Sequence, residues 1–101
     1  MDQEFKIPEM TGYTIYSKSG CPNCSKVKKY LTEVNAPVNI VDCDDYLIEA
    51  KEEFLKFIEI IAEKSVRVFP IVFFEGKFVG GYDETEYHYS RLNAFSNNVF
   101  F

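Results

Sequence analysis

Tyr13-Thr14-Ile15-Tyr16-Ser17-Lys18-Ser19-Gly20-Cys21-Pro22-Asn23-Cys24 is the stretch from which the fold is read. Tyr13 to Ser17 form a short β-branched and aromatic run closed by Ser19-Gly20, the pattern of a buried strand entering a loop. Beyond Pro22, the apolar residues Val27, Tyr30, Leu31 and Val34 recur at helical spacing with lysines between them. Asn35-Ala36-Pro37 ends that pattern, because a proline disfavours helical geometry in the residue before it. Val38 to Val41 is a second short apolar run, and a helix between two strands predicts a parallel βαβ crossover.

The pattern continues outward. From Tyr46 to about Lys64, the residues Leu47, Ala50, Phe54, Phe57, Ile58 and Ile61 mark one face of a single helix, expected to be the longest, with glutamates on its solvated side. Ile71-Val72-Phe73-Phe74 and Lys77-Phe78-Val79 flank Glu75-Gly76, which predicts an antiparallel hairpin with Gly76 at positive φ. Asp83-Glu84-Thr85-Glu86 has the spacing of a capping box, with Asp83 as N-cap and Glu86 three residues later, opening a last helix toward Phe95. The predicted order is βαβαββα. We expect one domain over residues 1–101, with its core at about 13–95, an N-terminal extension at 1–12 and a tail at 96–101 that carries no clear signal.

At 101 residues the chain has room for one core, and ten phenylalanines and seven tyrosines supply the material for it. The start, Met1-Asp2-Gln3-Glu4, is acidic and the following segment is interrupted by Lys6 and Pro8, so no export signal is expected, and no apolar run approaches the roughly 20 residues of a membrane span. A cytoplasmic protein without membrane attachment is the expectation. The net charge of −5 argues against general nucleic-acid binding. The charge is unevenly spread: residues 17 to 35 carry Lys18, Lys26, Lys28 and Lys29 against Glu33, whereas residues 42 to 63 carry eight acids against Lys51 and Lys56.

Three cysteines are too few for a disulfide scaffold, and two of them are spaced Cys-x-x-Cys, which points to redox chemistry or metal binding. If the first helix starts as predicted, Cys21 is its N-cap and Pro22 its first helical residue, where a missing N–H costs nothing. A Cys21 thiolate can then accept the backbone N–H groups of Asn23 and Cys24. The helix dipole and Lys18 act in the same direction and predict a thiol pKa well below the usual value of about 8.5. Such a thiol attacks disulfides and also leaves readily, while Cys24, one turn on, is placed to resolve a mixed disulfide on Cys21. Two other readings of the pair are incidental core cysteines and a zinc site. Zinc needs about four ligands, for which only Cys43 and His88 remain, on different elements. Cys43 itself reads as a small core or rim residue, and His88, between Tyr87 and Tyr89, as a packing residue.

Lys18-Ser19-Gly20-Cys21-Pro22-Asn23-Cys24 resembles the glutaredoxin active-site run Lys-x-x-Cys-Pro-x-Cys. Arg67-Val68-Phe69-Pro70 resembles that family's segment around its cis-proline, and Gly80-Gly81-Tyr82-Asp83-Glu84 its Gly-Gly-x-Asp motif; the three blocks keep family order. The resemblance implies an α/β thioredoxin-like fold, a four-stranded mixed sheet with helices on both faces, and glutathione as co-substrate with no permanently bound cofactor or metal. It implies a cis Pro70, with Phe69 offering backbone groups to the cysteinyl part of glutathione. It further implies that the γ-glutamyl carboxylate binds at the last helix start near Gly81, Tyr82, Asp83 and Glu84, with Asp83 meeting the amino group, and that Lys18 and Arg67 meet the glycine carboxylate. Partners would be disulfide-bonded or glutathionylated proteins, ribonucleotide reductase among them, served by a monomer. Two alternatives keep the fold: a thioredoxin-like reductant served by a thioredoxin reductase, against which the lack of Trp before Cys21 and the Gly80-Gly81-Tyr82-Asp83 run argue, and a glutathione-ligated iron–sulfur carrier. The sequence departs from the family at Asn23, where many members carry an aromatic residue, and at Val68-Phe69-Pro70 in place of Thr-Val-Pro.

Overall fold

The computed structural model describes residues 4–97, and its sheet is built around the Tyr13–Ser17 run. β1 (Tyr13–Ser17) lies between β2 (Val38–Asp42) and β3 (Ile71–Phe74), and β4 (Lys77–Gly80) forms the far edge, giving the order β2-β1-β3-β4. β2 runs parallel to β1 in the register Tyr13↔Val38 to Ser17↔Asp42, and β3 runs antiparallel with Ile15 opposite Val72. All five residues of β1 are buried. A central strand covered on both faces has no solvent side, which is why it reads as a continuous apolar run rather than an alternating one.

Alternate residues of the sheet feed two cores. Tyr13, Ile15 and Val72 face α1 (Pro22–Glu33) and α4 (Tyr82–Asn97), packing with Val27 and Leu31. Tyr16, Ile71 and Phe73 face the opposite layer, where Phe54, Leu55 and Ile58 close the other core. The expected four-stranded mixed sheet with helices on both faces, in the order βαβαββα, is the observed architecture.

Local chemistry fixes the boundaries. α1 ends as predicted before Pro37: Asn35 takes φ 59°, its N–H donates to Thr32 O at 3.0 Å, and the Ala36 N–H donates to Leu31 O at 3.0 Å. These two bonds form a Schellman closure of the helix carbonyls. At the hairpin both Glu75 (φ 51°) and Gly76 (φ 84°) are left-handed, the type I′ turn whose twist suits two adjacent strands.

The segment expected as one long helix is divided into α2 (Asp44–Glu49) and α3 (Lys51–Ala62) by Ala50, at φ −152° and ψ 50°. The start moves back from Tyr46 because Asp42 Oδ1 accepts the Asp44 N–H at 3.0 Å. The break has a packing reason. Tyr46 and Phe54 would lie about 12 Å apart along an unbroken helix, yet their ring centroids are 5.2 Å apart, both against Phe5. The backbone loses little at the break, since Ala50 N–H donates to Tyr46 O at 2.8 Å and Ala50 O accepts from Phe54 N–H at 2.9 Å.

α4, at 16 residues, is therefore the longest helix, and it starts at Tyr82 rather than after Asp83. Its N-cap is Gly81, whose N–H donates to Glu84 Oε1 at 2.9 Å, so the capping frame is Gly81/Glu84 and not Asp83/Glu86. α4 runs beyond the expected Phe95 to Asn97; the rest of the tail, residues 98–101, lies outside the described residues. No helix among the described residues is long and apolar enough to cross a membrane.

Candidate redox site

Cys21 sits at the N-cap of α1 with extended backbone angles (φ −118°, ψ 101°), and Pro22 follows at the first helical position. The Cys21 Sγ accepts the Cys24 N–H at 3.1 Å. Of the two amides expected to face the sulfur, this is the one that bonds it. Cys21 is half-buried at the rim, whereas Cys24 is 1% exposed within the core. The two sulfurs are joined as a disulfide across a Cα–Cα distance of 5.2 Å, inside the range a bridge needs. The spacing thus places one accessible and one shielded sulfur on a single helical turn.

The Phe69–Pro70 bond is cis, as the resemblance implied, at the entry to β3. Phe69 is 8% exposed, and its ring lies nearly parallel to that of Phe54, 6.4 Å between centroids. The bulk that distinguishes Phe69 from a smaller residue is therefore spent in the core. Lys18 extends over the same ring, with Nζ 5.6 Å from the centroid.

A cleft of about 450 Å³ begins at Asn23, beside the cysteines, and runs between the segment around cis-Pro70 and the start of α4. It brings together Arg67, Phe69, Pro70, Gly81, Tyr82, Asp83 and Glu84 from the expected set. Lys18 stands outside its lining. Lys64, which sequence reasoning passed over as the end of a helix, lines the cleft and holds its Nζ 6.0 Å from the Phe78 ring. Its only sequence signal was its position three residues before Arg67. Arg67 is already engaged, with Nη2 bonded to Glu52 Oε2 at 3.1 Å and Oε1 at 3.3 Å. A larger hollow of about 790 Å³ between β4 and α4 is lined by no residue of the cysteine turn and lacks the cis proline, whereas the smaller cleft takes in Asn23, between the two cysteines, and Pro70.

Asp44 reaches the loop in front of Cys21: its Oδ1 accepts the Ser19 N–H at 2.9 Å and its Oδ2 accepts the Ser19 hydroxyl. Those bonds hold the Asp44 carboxyl below the usual carboxylate range, and Lys18 and Lys28 add to the effect. Cys43 is fully buried, and burial pushes its thiol up to about 12. His88 Nδ1 is hydrogen-bonded to the Tyr13 hydroxyl at 2.7 Å, and burial lowers its pKa. It is a packing residue, bonded to a core tyrosine rather than to either reactive sulfur.

The family model described as Glutaredoxin matches residues 13–79 of the chain. The Glutaredoxin of Ricinus communis is 32% identical over 91 residues, covering 90% of this chain and 85% of that protein. The chloroplastic Glutaredoxin-C4 of Oryza sativa subsp. japonica is 31% identical over 86 residues, or 84% of this chain; this chain spans 61% of the rice protein, less than two thirds of it. The crystal structure of the buckwheat glutaredoxin–glutathione complex aligns with a TM-score of 0.60 at 26% identity, over 77% of this chain and 68% of that one. The matched span begins at β1, takes in both cysteines and the cis proline, and ends on β4, so fold, site and ancestry agree: the chain belongs to the glutaredoxin family of thiol–disulfide oxidoreductases.

Proposed function

We propose that the protein is a glutathione-dependent reductase of protein disulfides and glutathione mixed disulfides, with Cys21 as nucleophile and Cys24 as resolving thiol. The observation that carries this is the inequality of the two sulfurs: Cys21 lies at the rim with a backbone amide aimed at it, and Cys24 is sealed one turn inside. In the dithiol form, a Cys21 thiolate attacks a substrate disulfide, forms a mixed disulfide and expels the partner as its thiolate. On a protein disulfide, the Cys24 thiolate then attacks the Cys21 sulfur, releasing the second substrate sulfur as a thiolate that takes up a proton. Two glutathiones reduce the resulting Cys21–Cys24 disulfide to the dithiol with formation of glutathione disulfide. On a glutathione mixed disulfide, Cys21 retains the glutathionyl sulfur, which a second glutathione thiolate attacks, forming glutathione disulfide and releasing the Cys21 thiolate.

The cleft supports glutathione as the reductant. The first amides of α4, those of Tyr82, Asp83 and Glu84, have no carbonyl partner within the helix and suit the γ-glutamyl carboxylate. Asp83 suits the amino group, and the backbone of Phe69 at the cis bond suits the cysteinyl unit, as the family resemblance implies. At the glycine end Lys64 joins Lys18 and Arg67 as a cationic candidate. The glutathione complex of the buckwheat relative is consistent with this assignment.

Glutathione-coupled reduction of the mixed disulfide of glutathione and 2-mercaptoethanol tests the reading. Cys21→Ser is expected to abolish turnover, while Cys24→Ser keeps this reaction and loses reduction of protein disulfides. Equal behaviour of the two variants, or turnover in wild type only with a thioredoxin reductase system, refutes it.

A further inference from the structure

The loop that delivers Cys21 does little to hold itself. Lys18, Ser19 and Gly20 are all exposed, and Gly20 takes φ 67°. Its support comes from across β2. The Cys43 N–H donates to Ser17 O at 2.8 Å, which joins the ends of β1 and β2. Asp44 extends that tie past the edge of the sheet, with both carboxylate oxygens on Ser19. Asp44 is itself oriented by its own N–H on Asp42 Oδ1 at 3.0 Å.

We propose that Asp44 is a positioning residue for Cys21: its carboxylate fixes the Ser19 turn and places a permanent negative charge against Lys18 and Lys28, restraining how far Cys21 ionises. The inference rests on the reading of Cys21 as the nucleophile. Lys18 from the loop, Lys28 from α1 and Asp42 from the end of β2 line one hollow with Ser19, and both lysines act on Asp44. Positive charge there favours a Cys21 thiolate, and the Asp42 and Asp44 carboxylates oppose it. The Ser19 bonds hold the Asp44 pKa below the usual carboxylate value, so near neutrality Asp44 acts as a negative charge beside the loop. The same group therefore has two separable effects, a geometric one carried by hydrogen bonds and an electrostatic one carried by charge.

The test follows the iodoacetamide reactivity of the reduced full-length chain against pH, with mass spectrometry identifying the alkylated residue, at low salt and at high salt. Asp44→Asn keeps an oxygen that can accept a Ser19 bond but removes the charge, so the Cys21 midpoint should fall by about 0.3–0.7 pH unit at low salt, the difference shrinking as salt screens it. Ser19→Ala keeps the charge and removes the hydroxyl bond. Its midpoint should not fall, while kcat/KM for the small mixed disulfide drops about 3- to 10-fold at a pH where Cys21 is fully ionised. An Asp44→Asn midpoint equal to or above wild type overturns the proposal, as does wild-type turnover in Ser19→Ala. Alkylation of wild type at a residue other than Cys21 instead overturns the nucleophile assignment, an outcome read independently of either variant.

Discussion

Three sulfurs in one small fold are given three different chemistries by their surroundings. Cys21 meets a helix-start amide, Cys24 is its buried partner, and Cys43 meets apolar side chains and the Val41 carbonyl, with Sγ to O at 3.6 Å. With its thiol pushed up to about 12, Cys43 carries almost no thiolate near neutrality. Iodoacetamide applied to the reduced native protein should label Cys21 and leave Cys43 intact until denaturant is added; labelling of Cys43 in the native state at a comparable rate would contradict its placement. The raised value also has a sign for stability. A thiol whose folded pKa lies above its unfolded value, about 8.5 to 9, contributes stability that is complete below that value and is lost as pH rises toward 12. Tyr13, raised by burial to about 12, and Tyr16, raised further, act in the same direction above about pH 10. The urea midpoint of the reduced protein is therefore expected to fall progressively from about pH 9 upward, and a midpoint that holds constant to about pH 11 would exclude the linkage.

At the scale of elements, the start of α4 forms one wall of the cleft, through Gly81, Tyr82, Asp83 and Glu84. Gly80, at φ 140°, lets the chain turn from β4 into the helix, and a Cβ added there would sit 2.7 Å from the Cβ of Glu84. Gly80→Ala should thus displace the residue whose carboxylate caps Gly81, and Glu84→Ala should remove that cap directly at a cost of about 0.5–2 kcal/mol. Glu84→Gln keeps an acceptor oxygen, so it should retain most of the stability lost in Glu84→Ala; equal thermal melts for all three variants and wild type would show that the cap contributes nothing. This element also shows where the sequence stops being legible. Gly81/Glu84 and Asp83/Glu86 are overlapping frames with the same spacing, and what selects between them is the packing of Tyr82 on the α1–α4 core, beside Tyr30 and Tyr89. The break between α2 and α3 was hidden for the same reason. It falls on Ala50, the residue type with the highest helix propensity, and is imposed by Phe5, a contact 45 residues away in sequence that no local pattern displays. By contrast, β1, α1, the hairpin and the cysteine turn were legible because each is fixed by its own residues: β-branched runs, Pro22, Asn35, and Gly76.

Over the whole molecule, the core and the cleft meet at Phe54. Its ring contacts Phe5, Tyr16, Tyr46, Phe57 and Phe69, and it is fully buried. The approach of Phe5 brings the 4–12 segment onto this cluster, where the Tyr16 hydroxyl donates to Lys6 O and the Lys6 N–H donates to the Tyr46 hydroxyl at 3.0 Å. Residues read from sequence as an extension are thus part of the packing that sets the α2–α3 layer. Phe69 carries the coupling to function, since its ring stacks on Phe54 while its peptide bond to Pro70 lines the cleft beside the cysteines. Truncating a buried phenylalanine costs about 3–5 kcal/mol, a large share of the roughly 5–15 kcal/mol that holds a domain folded. Phe54→Ala should therefore be severely destabilised, and so should Ile58→Ala, fully buried in the same core but not among the rings stacked on Phe69, at about 2–5 kcal/mol. The two differ in what the vacated space releases. In Phe54→Ala the Phe69 ring loses its stacking surface and is free to settle inward, drawing the backbone at the cleft with it. Measured at a temperature where both variants are folded, KM for the glutathione mixed disulfide should rise several-fold in Phe54→Ala and stay near wild type in Ile58→Ala. An equal rise in both would mean that the cleft responds only to general loosening of the core and that the Phe54–Phe69 stack has no separate part in shaping it.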